Sequence, residues 1–165
     1  MLTLRALLAL AGAVLATAAA ALAVLSSIQH AEPYVKNAAE AIAAGKPAKA
    51  PNPVSITAYR VNYARGGAAL VLTDKPGVFP PLYALGVGNN CPPQLPPALY
   101  NKTYTAANNT VHTTGCSFVL PYVEEGPPVK ITHYVALCRG GTDLRAEVVE
   151  EEYGGFTLRT IIVDC

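Results

Sequence analysis

The sequence predicts an α+β chain: a long N-terminal hydrophobic helix followed by a small, antiparallel, β-rich, sandwich-like head. Three observations carry this. Residues 1–31 hold a single charged side chain, Arg5, although the whole chain of 165 residues is 52% hydrophobic and 14% charged. Three prolines fall within the eight residues 46–53. Beyond them, short β-rich runs alternate with Gly turns, as in small sandwich domains. The expected organisation is therefore a helix over 1–45, a Pro-rich linker over 46–53, and a β head over 54–165.

Ala6 to Ile28 contains no charge, no Pro and one Gly, Gly12. As a helix it would be roughly 34 Å long, enough to cross a bilayer core. Leu7, Leu8, Leu10, Val14, Leu15, Leu22, Val24, Leu25 and Ile28 surround its whole circumference, so lipid or other helices must surround it. Three roles fit: a secretory signal cut near Ala21-Leu22-Ala23 or Ser26-Ser27, a permanent membrane anchor, or the assembling part of a filament. All three place the remainder outside the cell.

After the polar step Gln29-His30-Ala31-Glu32-Pro33, a second helical pattern runs from Tyr34 to Ala44. Tyr34, Val35, Ala38, Ala39, Ile42 and Ala43 recur at three- and four-residue spacing, and Gly45 reads as the stop. A spent signal peptide needs no such amphipathic extension behind it. Lys46 to Pro53 then reads as a stiff, extended connector.

In the head, Val54–Val61 and Ala68–Thr73 read as a hairpin about Ala64-Arg65-Gly66-Gly67. Phe118–Val123 reads as a third strand. Val129–Leu137, Leu144–Glu151 and Phe156–Val163 read as an up-down-up antiparallel meander. Pro76 to Pro97 carries seven prolines in 22 residues and must be loop or edge. Glu147, Glu150, Glu151 and Glu152 read as a solvated edge strand, with Arg145 and Arg159 able to pair across the sheet.

Cys91, Cys116, Cys138 and Cys165 are an even number in an exported chain, which makes disulfides the default. Four cysteines allow three connectivities. In the meander, Cys138 and Cys165 lie at one edge but two strand spacings apart, roughly 9–10 Å, so their strand ends would have to bend together. This favours Cys138–Cys165 and leaves Cys91–Cys116 to close the Pro-rich loop, a stabilisation of roughly 3 kcal/mol. The alternative is a metal site of His112, Cys116, His133 and Cys138, whose spacing lacks the knuckle that structural zinc favours. Asn101-Lys102-Thr103 and Asn108-Asn109-Thr110 are N-glycosylation sequons, marking Asn101 and Asn108 as acceptors.

The net charge of +1 and the absence of a basic cluster exclude an electrostatic footprint for nucleic acid. No nucleophile elbow, zinc-protease helix or phosphate loop is present, no cofactor is implied, and the chain does not read as an enzyme.

An apolar helix running into an amphipathic one, a short linker and an exported β head resemble a type IV pilin, more specifically an archaeal one. In that family a peptidase cuts after a basic residue followed by Gly or Ala, just ahead of the apolar run, and Arg5-Ala6 fits such a site. The bacterial signature of a Glu at mature position five is absent, since counting from Leu7 that position is Ala11. The resemblance implies a subunit held in the membrane before assembly, handled by pilus assembly machinery, and then polymerised with copies of itself into an adhesive surface filament. Three alternatives are a secreted or membrane-anchored β-domain that binds carbohydrate, protein or metal, a filament joined by donor strands after signal-peptide removal, and a metal-dependent redox protein.

Overall fold

The computed structural model describes residues 33–61, 81–101, 109–124 and 126–165. The chain divides into two compact units, Met1–Pro33 and Tyr34–Cys165; every strand among the described residues belongs to the second. The expected apolar helix of Leu7 to Ile28, the Arg5-Ala6 processing site, the Ala68–Thr73 strand and Asn108 lie outside the described residues.

The described residues are mostly β, which corrects the expected fold class. They contain an eleven-residue helix, α1 (residues 33–43), and a four-residue helix, α2 (Ala98–Asn101). No helix among them is long and apolar enough to cross a membrane. The strands are β1 (Ala48–Val61), β2 (Leu82–Val87), β3 (Thr110–Thr113), β4 (Cys116–Val119), β5 (Tyr122–Glu124), β6 (Val129–Ala136), β7 (Gly140–Tyr153) and β8 (Phe156–Asp164). They form one eight-stranded sheet in the order β3-β4-β2-β1-β7-β8-β6-β5, not two packed antiparallel sheets.

α1 forms where the apolar spacing places it, burying Val35, Ala38, Ala39 and Ile42 and exposing Lys36 and Asn37. It ends in a Schellman cap. Gly45 takes φ +67°, its N–H donates to the Ile42 carbonyl at 2.9 Å, and Lys46 N–H donates to the Ala41 carbonyl at 2.9 Å.

The expected connector over 46–53 is largely strand. β1 begins at Ala48, and its pairing with β7 shifts register between Lys49 and Val54, which takes up Pro51 and Pro53 without placing them in a regular ladder. Asn89 ties this irregular stretch down: its Oδ1 accepts from the Ser55 N–H (3.1 Å) and hydroxyl (2.9 Å), and its Nδ2 donates to the Pro53 carbonyl (3.3 Å). β1 then changes partner, pairing with β7 through Ser55 and with β2 from Ile56 to Val61. The two halves of the sheet meet at this change.

The C-terminal meander is also corrected. β8 lies between β7 and β6, antiparallel to the first and parallel to the second over eight residue pairs, Val129↔Phe156 to Ala136↔Val163. The expected strand Phe118–Val123 breaks at Leu120-Pro121, because Pro121 has no N–H for a ladder. Its two pieces, β4 and β5, lie near opposite ends of the strand order. The Pro-dense stretch contains an interior strand: Leu82 to Val87 has no Pro, and β2 pairs with both β1 and β4.

Burial follows strand alternation on both faces. On β2, Leu82 and Ala84 join one apolar cluster with Tyr59, Phe118, Ile131, Leu158 and the covering residues Leu95 and Leu99. Leu85 and Val87 join the other, with Val54, Val119, Tyr134, Leu144, Ile161 and the apolar face of α1. Both halves of the sheet contribute to each cluster, and β2 approaches β6 although the two are not ladder neighbours.

Candidate functional site

Cys91 bonds to Cys116 and Cys138 to Cys165, with Cα separations of 5.0 and 5.8 Å, and no cysteine is free. The second bridge needs no bending of strand ends, because Cys138 and Cys165 follow neighbouring parallel strands. Both cysteines of the alternative metal set are therefore oxidised, leaving no thiolate to coordinate an ion. His112 and His133 lie on β3 and β6, strands far apart in the sheet order. Among the described residues, no group of three or more His, Cys, Asp or Glu is placed to hold a metal ion.

His112 instead joins α1 to the edge of the sheet. Its Nε2 lies 3.4 Å from Glu40 Oε1 of α1 and 3.4 Å from Thr110 Oγ1, and its Nδ1 lies 2.9 Å from Ser117 Oγ. Lys36, one turn before Glu40, approaches the same carboxylate oxygen at 3.9 Å. β3 and β4 form the hairpin that brings His112 opposite Ser117 in register. Gly115 makes the turn at φ +78°.

Carboxylate, imidazole and hydroxyl in line are the elements of nucleophile activation. Ser117, however, is only 2% exposed, so its hydroxyl is withheld from any substrate in solution and the line acts as a structural tie. Its members come from segments far apart in sequence and carry no local motif; alternation in β3 and the helical period of α1 are the only signals, and neither indicates that they meet.

His133, by contrast, is buried within the sheet. Its Nε2 lies 3.1 Å from Thr160 Oγ1, its cross-strand partner, while Nδ1 is buried without a hydrogen bond. Burial lowers its proton affinity, and the Glu151 carboxylate offsets this in part. Tyr134, next in sequence, points to the opposite face beneath α1. Burial pushes its hydroxyl up to about 12, with weaker opposing effects from Asn109 and Arg159. Asn109 approaches it without closing a hydrogen bond of good geometry.

The four glutamates of β7 are all exposed. Glu150 lies opposite Arg159, 3.8 Å away, one of the cross-strand pairs their spacing suggests. Asn101 closes α2 inside the loop bounded by Cys91 and Cys116. Comparison of the chain with protein-family models, with curated proteins and with solved structures finds no match.

Proposed function

We infer that the chain is a structural subunit of an extracellular, pilin-like assembly of identical copies, with the disulfide-bonded β unit as its outward head. The seating of α1 is the observation that carries this reading. Val35, Ala38, Ala39 and Ile42 are buried in the cluster to which both halves of the sheet contribute, so α1 is part of the head's core. In the sequence, only five residues separate Ile28, the end of the charge-free segment, from Tyr34. A load borne by that segment would pass directly into the core of the head. Gathering the apolar segments of many copies out of water supplies the driving force for assembly, at about 25 cal/mol per Å². The two disulfides suit an oxidising location outside the cell.

The test is the intact mass and N-terminal residue of protein taken from native surface filaments, together with a Leu15→Asp/Leu22→Asp variant. Filament subunits should retain residues 7–28, and the variant should form no filaments while its head keeps both disulfides. A mature start between Val24 and Ile28, or filaments that survive the double substitution, would overturn the reading.

A further inference from the structure

The apolar face of α1 is fixed by packing, and among the described residues its polar side-chain contact with the sheet is made to one imidazole, His112, 3.4 Å from Glu40. His112 is on β3, an edge strand of the sheet, and its ring is held on both sides. Ser117 and Thr110 fix its orientation, and Glu40 of α1 lies beyond Nε2. In the neutral ring, Nδ1 accepts from the Ser117 hydroxyl and Nε2–H is shared between Thr110 and Glu40. In the protonated ring, Nδ1–H donates to Ser117 Oγ, and Nε2–H carries a full positive charge toward the carboxylate. The same geometry serves both states, but only the second adds an ion pair between helix and sheet.

We propose that Glu40 and His112 form a proton-dependent clasp between α1 and the edge of the sheet, tightening when His112 gains a proton and slackening when it loses one. Among the described residues, the charged groups at the clasp besides the imidazole are Glu40 and Lys36, both from α1; β3 and β4 contribute the uncharged Thr110 and Ser117. Lys36 approaches the same carboxylate oxygen at 3.9 Å, so in the neutral state Glu40 is shared between Nε2–H and its partner one turn away. His133, the other histidine of the head, is on β6 beside Thr160 and Glu151 and does not enter this contact. The device belongs to the head alone and does not depend on polymerisation.

Amide hydrogen exchange of the full-length protein tests it, read as the protection of α1 relative to the β1–β2 ladder after correction for intrinsic rates. That ratio should be about two- to fivefold higher near pH 5.5 than near pH 8. Both His112→Gln and Glu40→Gln should make it independent of pH. A flat ratio in the unaltered protein, or an undiminished pH dependence in either variant, would overturn the proposal. Salt provides a check that needs no variant. Raising it to about 0.5 M near pH 5.5 should erase the excess protection by screening the pair, and a salt-insensitive excess would also overturn the clasp.

Discussion

The two disulfides close loops of nearly equal length, with sequence separations of 25 and 27, yet they join quite different structures. Cys138 and Cys165 follow β6 and β8, which already share a parallel ladder of eight pairs. Cys91 belongs to a segment with Pro92, Pro93, Pro96 and Pro97 whose described residues up to Asn101 contain the single turn of α2 and no strand, and Cys116 holds it against β4. That segment supplies Leu95 and Leu99 to one of the two cores, while the Tyr59 hydroxyl donates to the Pro92 carbonyl at 2.6 Å. In the first case the bridge adds to a ladder. In the second it stands in for one.

Loop-closure entropy assigns each bridge about 3.5 kcal/mol and so predicts no difference between them. The surroundings predict one. Replacing Cys91 and Cys116 together by Ala should cost more than that figure, because Leu95 and Leu99 lose their hold over Tyr59 and Phe118. Replacing Cys138 and Cys165 should cost no more than it, because the β6–β8 ladder persists. Urea unfolding midpoints of the two double variants decide the matter; equal losses would mean that loop length alone governs both.

Backbone approach separates the same two regions. Gly88, just after β2, takes φ +138° with Gly115 and Cys116 against it, and a Cβ there would collide with the Gly115 carbonyl oxygen. Gly154, in the turn between β7 and β8, has open space where a Cβ would stand, with nothing within 4 Å. Gly88→Ala should therefore cost about 1–3 kcal/mol through strain and collision, whereas Gly154→Ala should stay within about 0.5 kcal/mol. Thermal unfolding of the two variants checks this. A harmless Gly88→Ala would show that the β2–β4 corner can open.

What the sequence made legible follows the range of the interactions involved. The α1 pattern from Tyr34 to Ala44, the Gly45 stop and the turn between β7 and β8 are local, and they occur where periodicity and turn chemistry put them. The parallel pairing of β6 with β8 was hidden because a Gly turn between β-rich runs signals a hairpin to the next strand, and does not show which third strand joins its far side. β2 was hidden by its neighbours: the prolines flank Leu82 to Val87 without entering it, so composition averaged over the stretch concealed a clean strand. The clasp was hidden for a third reason. Glu40 and His112 are each ordinary solvent-side residues of their own elements, and only the packing of α1 beside β3 brings them together.

The smallest effect expected is in the β6–β8 region and concerns acid. Burial lowers the proton affinity of His133 below that of an unfolded chain, whose imidazole titrates near 6.5. The unfolded state therefore takes up a proton that the folded state resists. His133 leaves stability unchanged well above about pH 6.5 and reduces it as the pH falls below that value. The sign is opposite to that of the clasp, so mild acid should loosen β6 against β8 while it draws α1 onto β3. Urea midpoints between about pH 7.5 and pH 5 should decline for the unaltered protein and decline less for His133→Gln, which keeps a polar partner for Thr160. Glu151→Gln should steepen the decline, because the Glu151 carboxylate is the charge that partly offsets burial. Equal slopes in all three proteins would mean that His133 is as well solvated by the fold as by water.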